Sequence, residues 1–127
     1  MLGDQNIVAF APTTDFERAK AFYVGTLGLR FKEEDGFALV LDASGIMLRI
    51  AKVPAFEPAR FTILGWEVKG IHDLMAKLTA KGVVFEQFGL PNQDATGLWT
   101  APTGDKVAWF KDPDGNVLSL SEHVKTS

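Results

Sequence analysis

The sequence predicts an α+β chain built from two tandem βαβββ modules. Two observations carry this reading. Short apolar runs with strand character alternate with two stretches of helical periodicity, in the order strand, helix, strand, hairpin, and that order occurs twice. The two halves can also be laid over each other. Val8 and Ile63 hold equivalent places in the opening strands, 55 residues apart, and Gly28-Leu-Arg-Phe31 matches Gly82-Val-Val-Phe85 at an offset of 54. Residues 42–50 match 112–120 at an offset of 70. The change of offset marks an insertion of roughly fifteen residues near 88–104, longer than ordinary connections and a place where function often resides.

Taken in order, residues 6–12 read as a strand stopped by Pro12. Asp15 is placed to cap a helix running to about Val24, with Phe16, Ala19, Phe22 and Tyr23 at helical spacing and Gly25 and Gly28 breaking it. Residues 29–32 form a strand, 33–36 a charged turn, and 37–42 with 46–52 a hairpin about Asp42-Ala-Ser-Gly45. The first module spans about 5–53, and a linker of about 54–60 leads to the second, about 61–123. There, 61–68 is a strand, and Ile71, Leu74, Met75 and Leu78 mark one face of a helix that Gly82 terminates. A strand over 83–88, the polar insertion, a strand over 105–111, the Asp112-Pro-Asp-Gly115 turn and a strand over 116–122 complete the chain.

Composition narrows the function classes. The 127 residues suit one domain, and ten Phe with three Trp supply bulky core material. With no Cys, disulfides, thiolate nucleophiles and Cys-ligated metals are excluded. A net charge of -3 with no basic face argues against nucleic acid as a partner. The longest apolar runs, 7–11 and 37–41, are far too short to span a membrane, and the N-terminus lacks a signal peptide's pattern. A cytoplasmic protein is expected. No glycine-rich phosphate loop follows a strand, and Gly-x-Ser-x-Gly, Walker and His-Glu-x-x-His motifs are absent.

Four segments carry a family resemblance: Asp15-Phe-Glu-Arg-Ala-Lys-Ala-Phe-Tyr23 with Leu27-Gly-Leu-Arg30, Trp66-Glu-Val68, and Phe110-Lys-Asp-Pro-Asp-Gly-Asn-Val-Leu118. Their order and spacing resemble the vicinal oxygen chelate superfamily, the glyoxalase/bleomycin-resistance/extradiol-dioxygenase group. The resemblance implies a curved mixed sheet around one cavity with helices on the outer face, and homodimers, sometimes with shared cavities. It also implies a divalent metal held by side chains from the first and last strands of each module. Those positions fall on Val8, Ile63 and Ser119, and by the internal repeat on Arg49. None suits a divalent ion, which needs imidazole or carboxylate donors. Neighbouring registers are worse, so no metal or other cofactor is expected.

Strand alternation places Val8, Phe10, Met47, Arg49, Ile63, Gly65, Glu67, Val117, Ser119, Ser121 and His123 on the cavity side. Ile7, Ala9, Leu48, Ile50, Leu64, Trp66, Val68, Leu118 and Leu120 then face the helices. Arg49 could anchor a carboxylate or phosphate, pair with Glu67, or reach solvent at the rim. Glu67 could act as a base or stand solvated, and His123 could act as acid, base or single ligand or be mobile surface. His72 reads as surface. Trp99, Gln93 and Asp94 lie in the insertion, where Trp99 could stack on a flat ligand or plug the core; Trp66 and Trp109 read as core. Two functions follow: a metal-free small-molecule binding protein of the bleomycin-resistance type, or an enzyme. The enzyme would be a glyoxalase-like lyase or isomerase, or a dioxygenase-type catalyst, with unconventional ligands (Glu67, His123), or a metal-independent acid–base catalyst. A blander third possibility is a dimeric interaction module whose cavity its own side chains fill.

Overall fold

The computed structural model describes residues 1–124, and the chain falls into two compact units, Met1–Pro58 and Ala59–Ser127. The first contains β1 (Val8–Thr13), α1 (Phe16–Lys20), β2 (Arg30–Glu34), β3 (Ala38–Ala43) and β4 (Ile46–Lys52). These form a four-stranded mixed sheet in the order β1-β4-β3-β2. β1 and β4 are parallel and the other pairs antiparallel. Parallel neighbours need a long crossover, and the helix with the two intervening strands provides it.

Asp15 caps α1 as its sequence position suggests: the Arg18 N–H donates to Asp15 Oδ1 at 3.2 Å. The helix does not continue to Val24 in α geometry. It widens after Lys20 into a π-helical turn over Ala21–Thr26, in which the Leu27 N–H reaches back to the Phe22 carbonyl at 2.9 Å. β-branched Val24 and Thr26 around Gly25 give this stretch little preference for a tight α turn. The hairpin between β3 and β4 turns on Ser44 and Gly45, both at positive φ (51° and 86°), as a two-residue primed turn requires. Ala19 and Tyr23, with Leu39, Leu41, Leu48 and Ile50 of the sheet, are buried and make up the core of this unit.

The second unit contains β5 (Thr62–Glu67), α2 (Ile71–Ala80), β6 (Trp99–Thr100), β7 (Lys106–Lys111) and β8 (Val117–Glu122), ordered β5-β8-β7-β6. Ile71, Met75 and Leu78 are the buried stripe of α2. At its C-terminus the Gly82 N–H donates to the Thr79 carbonyl and the Val83 N–H to the Leu78 carbonyl, both at 3.0 Å. With Gly82 at φ 96°, this is a Schellman termination. Its N-terminus is capped across the fold, because the Ile71 N–H donates to Glu122 Oε1 at 2.8 Å.

The parallel ladders of the two units correspond past the start of each first strand. Leu48 pairs with Ala9 in the first parallel ladder and Leu118 with Leu64 in the second, so the offsets of 55 and 70 describe equivalent positions. Two expectations change. The strand anticipated over 83–88 is reduced to a single bridge between Phe85 and Phe110, followed by the Glu86 N–H donating to the Trp109 carbonyl at 2.8 Å. The chain then leaves the sheet and rejoins it at Trp99, opposite Val107. Trp99 thus takes the rung that an uninterrupted strand would give to Phe88, and the insertion lies inside the fourth strand. Ile63 also loses its expected rung, since the β5–β8 register shifts between Thr62 and Leu64.

The Asp112-Pro-Asp-Gly115 turn is held from within. Asp112 Oδ1 accepts the N–H groups of Asp114 and Asn116, each at 2.9 Å, and Asn116 Nδ2 donates to Asp112 Oδ2 at 2.8 Å. Both side chains are buried. Among the described residues, no helix is long and apolar enough to cross a membrane. Asn116→Ala, which leaves a buried carboxylate oxygen without this donor, is expected to lower unfolding stability by about 2 kcal/mol. Asp15→Ala, which removes an exposed cap, is expected to cost about 1 kcal/mol. Urea titration checks both, and equal losses would contradict the role given to the buried turn.

Candidate functional site

Each sheet has one face covered by its own helix and one open face, and the ladders determine which side chains share the open face. In the first unit one rung carries Val8, Met47, Asp42 and Arg30, and the next carries Phe10, Arg49, Val40 and Glu33. Phe10 is 60% exposed, and Val8 and Met47 are also exposed. The covered face carries Ala11, Leu48, Ile50, Leu39 and Leu41, all buried. Ile7, expected on the helix side, precedes β1 and is exposed.

Arg49 does not pair with Glu67. Its Nη2 donates to Asp35 Oδ2 at 2.6 Å, and both side chains are largely but not fully withdrawn from solvent. Asp35 sits in the β2–β3 turn, where its other oxygen accepts the N–H groups of Phe37 and Ala38 at 3.0 and 2.9 Å. The Arg49 guanidinium, aided by these N–H groups, holds the Asp35 carboxyl below its ordinary value. Asp35 was hidden in the sequence because it looked like one more acid in a charged turn. A second cross-strand pair, Arg30 with Asp42 at 3.2 Å, lies on the same face.

In the second unit the open-face rungs are Gly65, Ser119 and Trp109, then Glu67, Ser121, Val107 and Trp99. This corrects the reading of Trp109 as core: it stands on the open face, half-buried, with its ring 6.1 Å from that of Trp99 and 5.3 Å from that of Phe88. Trp66 does belong to the covered face, stacked 6.5 Å from Phe110. Gly65 keeps the floor beside the rings open. A Cβ there would lie 2.7 Å from Ser119 Oγ, so a larger residue would displace that hydroxyl.

The insertion is fastened by its own side chains. Gln93 Nε2 donates to the Glu86 and Gly97 carbonyls, both at 2.9 Å, while its Oε1 accepts the Phe88 N–H at 3.0 Å. Gln93 is therefore a strut that closes the excursion. Asp94 accepts the Thr96 hydroxyl at 2.5 Å and the N–H groups of Thr96 and Leu98; the hydroxyl leads in holding its carboxyl below the usual value. An open pocket of about 430 Å³ lies against Asn92, Gln93, Asp94, Thr100 and Ala101. His72 is exposed, as expected.

A smaller cleft of about 350 Å³ is lined by Glu67, Val68, Lys69, Glu122 and His123. His123 is placed by two hydrogen bonds, to Ser121 Oγ through Nε2 at 3.1 Å and to Asp105 Oδ2 through Nδ1 at 3.3 Å. The family-type ligand positions Val8, Arg49, Ile63 and Ser119 do not fit a divalent ion: two have no donor atom, one is a cation bound to Asp35, and one is a neutral hydroxyl. Among the described residues, no group of three or more His, Asp or Glu is placed to hold a metal.

A family model described as the Glyoxalase/Bleomycin resistance protein/Dioxygenase superfamily matches residues 6–120. Among solved structures, a glyoxalase family protein from Enterococcus faecalis aligns with a TM-score of 0.72 at 24% identity, covering 96% of this chain and 100% of that one. An integron cassette protein, HFX_CASS4, from the mobile metagenome of the Halifax Harbour sewage outfall aligns at 0.71 and 20% identity, covering 94% and 99%. A lactoylglutathione lyase from Agrobacterium tumefaciens aligns at 0.71 and 16% identity, covering 93% of each. At these identities the likeness establishes the fold. No curated protein matches the sequence.

The Asp35–Arg49 pair has a pH signature. A carboxyl held below its ordinary value of 3.8 contributes stability that is complete above that value and lost as pH falls through the lower folded-state value. Asp35→Asn is therefore expected to lower the Tm at pH 7, with the gap to the unmodified protein closing on acidification below the ordinary carboxylate range. A gap that stays constant with pH would show that charge plays no part.

Proposed function

Since the chain belongs to the Glyoxalase/Bleomycin resistance protein/Dioxygenase superfamily, we propose that it is a metal-free binding protein for a small molecule with a flat, apolar portion. The observation that carries this reading is a pairing of loss and gain. The four positions that would supply metal donors hold Val8, Arg49, Ile63 and Ser119, while the open face of the second sheet presents the rings of Trp99, Trp109 and Phe88 around a floor kept low by Gly65. Rings set at angles over small residues offer dispersion and edge contacts to a planar ligand. Ser119 and Ser121, on the same rungs, supply hydroxyls that orient it. In the first unit, taken by itself, Val8, Phe10 and Met47 are exposed and Arg49 is committed to Asp35.

The lyase or dioxygenase reading with Glu67 and His123 as unconventional ligands draws less support. Both ring nitrogens of His123 are engaged, one by Ser121 and one by Asp105, so neither is turned toward a metal shared with Glu67. The binding reading expects no stoichiometric metal in the purified protein by mass spectrometry. It also expects no rise in Tm on adding Ni²⁺, Zn²⁺ or Mn²⁺. A panel of planar aromatic metabolites should include compounds that raise the Tm, because a ligand of the native state stabilises it. Trp99→Ala should weaken their binding roughly three- to tenfold through loss of a ring contact. Tight stoichiometric metal, or a Trp99 variant that binds every hit unchanged, would overturn the proposal.

A further inference from the structure

We propose that Ser121, His123 and Asp105 form a hydrolytic centre that takes the acyl group of a small ester onto Ser121 and passes it to water. This goes beyond ligand binding and does not rest on it. The arrangement follows from the ladder. Lys106 pairs with Glu122 as the last rung of the ladder, and just beyond it the side chains of Asp105 and His123 meet, with His123 two residues on from Ser121. The contacts run in the order that acyl transfer requires. Ser121 Oγ lies 3.1 Å from His123 Nε2, and His123 Nδ1 lies 3.3 Å from Asp105 Oδ2.

Asp105 is itself held in place, because its Oδ1 accepts the Val124 N–H at 3.0 Å. That bond first, and His123 after it, keep the Asp105 carboxyl below its ordinary value, so at neutral pH it is an acceptor only. Nδ1 then carries the imidazole proton, and the lone pair of Nε2 faces the Ser121 hydroxyl. The cleft of about 350 Å³ beside His123 brings Glu67, Lys69 and Glu122 to its walls. Glu122 Oε1 is occupied by the Ile71 N–H. Lys69 is the cation on the wall of that cleft.

The step balances without a cofactor. Ser121 Oγ bonds to the ester carbonyl carbon as its proton passes to His123 Nε2. The carbon–oxygen bond to the alcohol breaks, and the alcohol leaves with that proton. Water, giving a proton to the same nitrogen, attacks the acyl-serine. The acid departs and the proton returns to Ser121. Asp105 acts as a positioning residue through His123.

The intact chain is treated with a fluorophosphonate probe and mapped by mass spectrometry, and hydrolysis of p-nitrophenyl acetate is followed alongside. The adduct is expected on Ser121 and is expected to vanish on heat denaturation and in Ser121→Ala. Ser121→Ala and His123→Ala should each lower kcat/KM at least about a hundredfold, with circular dichroism confirming the native fold. Asp105→Asn should lower kcat more than about tenfold while leaving KM within about twofold, because the imidazole loses the carboxylate that orients it without losing a substrate contact. No adduct, an adduct elsewhere, or hydrolysis unchanged in Ser121→Ala would overturn the proposal.

Discussion

The parallel pairing of each module's first and last strands is the constraint on which the rest depends. Parallel neighbours cannot be joined by a tight turn, and here a helix and two further strands lie between β1 and β4, and likewise between β5 and β8. That connection brings the helix onto one face and leaves the other open. It also sets the rungs: Phe10 meets Arg49 and Gly65 meets Ser119 because the ladders are in register, although each pair is far apart in sequence. The buried Asp112–Asn116 turn serves the same end by delivering β8 into its place between β5 and β7.

The second module shows how such a frame accepts an insertion without losing its order. The fourth strand starts at Phe85, is interrupted after Glu86 and resumes at Trp99 on the rung where Phe88 would have stood. Gln93 closes the gap by bonding to main chain on both sides of it. Gly97, at φ 96°, lets the returning chain pass close to Phe85, whose Cβ would be 3.0 Å from any Cβ added there. The outcome is a cluster of rings on the open face where the first module has a plain strand and an Arg–Asp pair.

The two open faces therefore differ in chemistry despite the repeat that underlies them. On the first, Arg49 and Asp35 neutralise each other, and Phe10, Val8 and Met47 are exposed on the face that carries Arg49. On the second, aromatic rings, serine hydroxyls and a histidine with both nitrogens engaged share adjacent rungs. The Arg49 guanidinium on β4 demands a counter-ion, which the turn at Asp35 supplies.

Local chemistry was enough to read the modules from the sequence. Asp15 as a cap, a hairpin turn within Asp42-Ala-Ser-Gly45 and Gly82 as a helix terminator are decided by a few neighbouring residues. The unsuitability of Val8, Ile63, Arg49 and Ser119 as metal ligands was equally legible, because donor chemistry belongs to the residue type. What depended on distant residues was not. The cap of α2 by Glu122, the partner of Arg49, the open-face position of Trp109 and the Ser121–His123–Asp105 contact each join segments that only strand pairing brings together. Periodicity can say that a residue lies on one face of a strand. Which side chain stands across from it is decided by register, and register is a property of the assembled sheet.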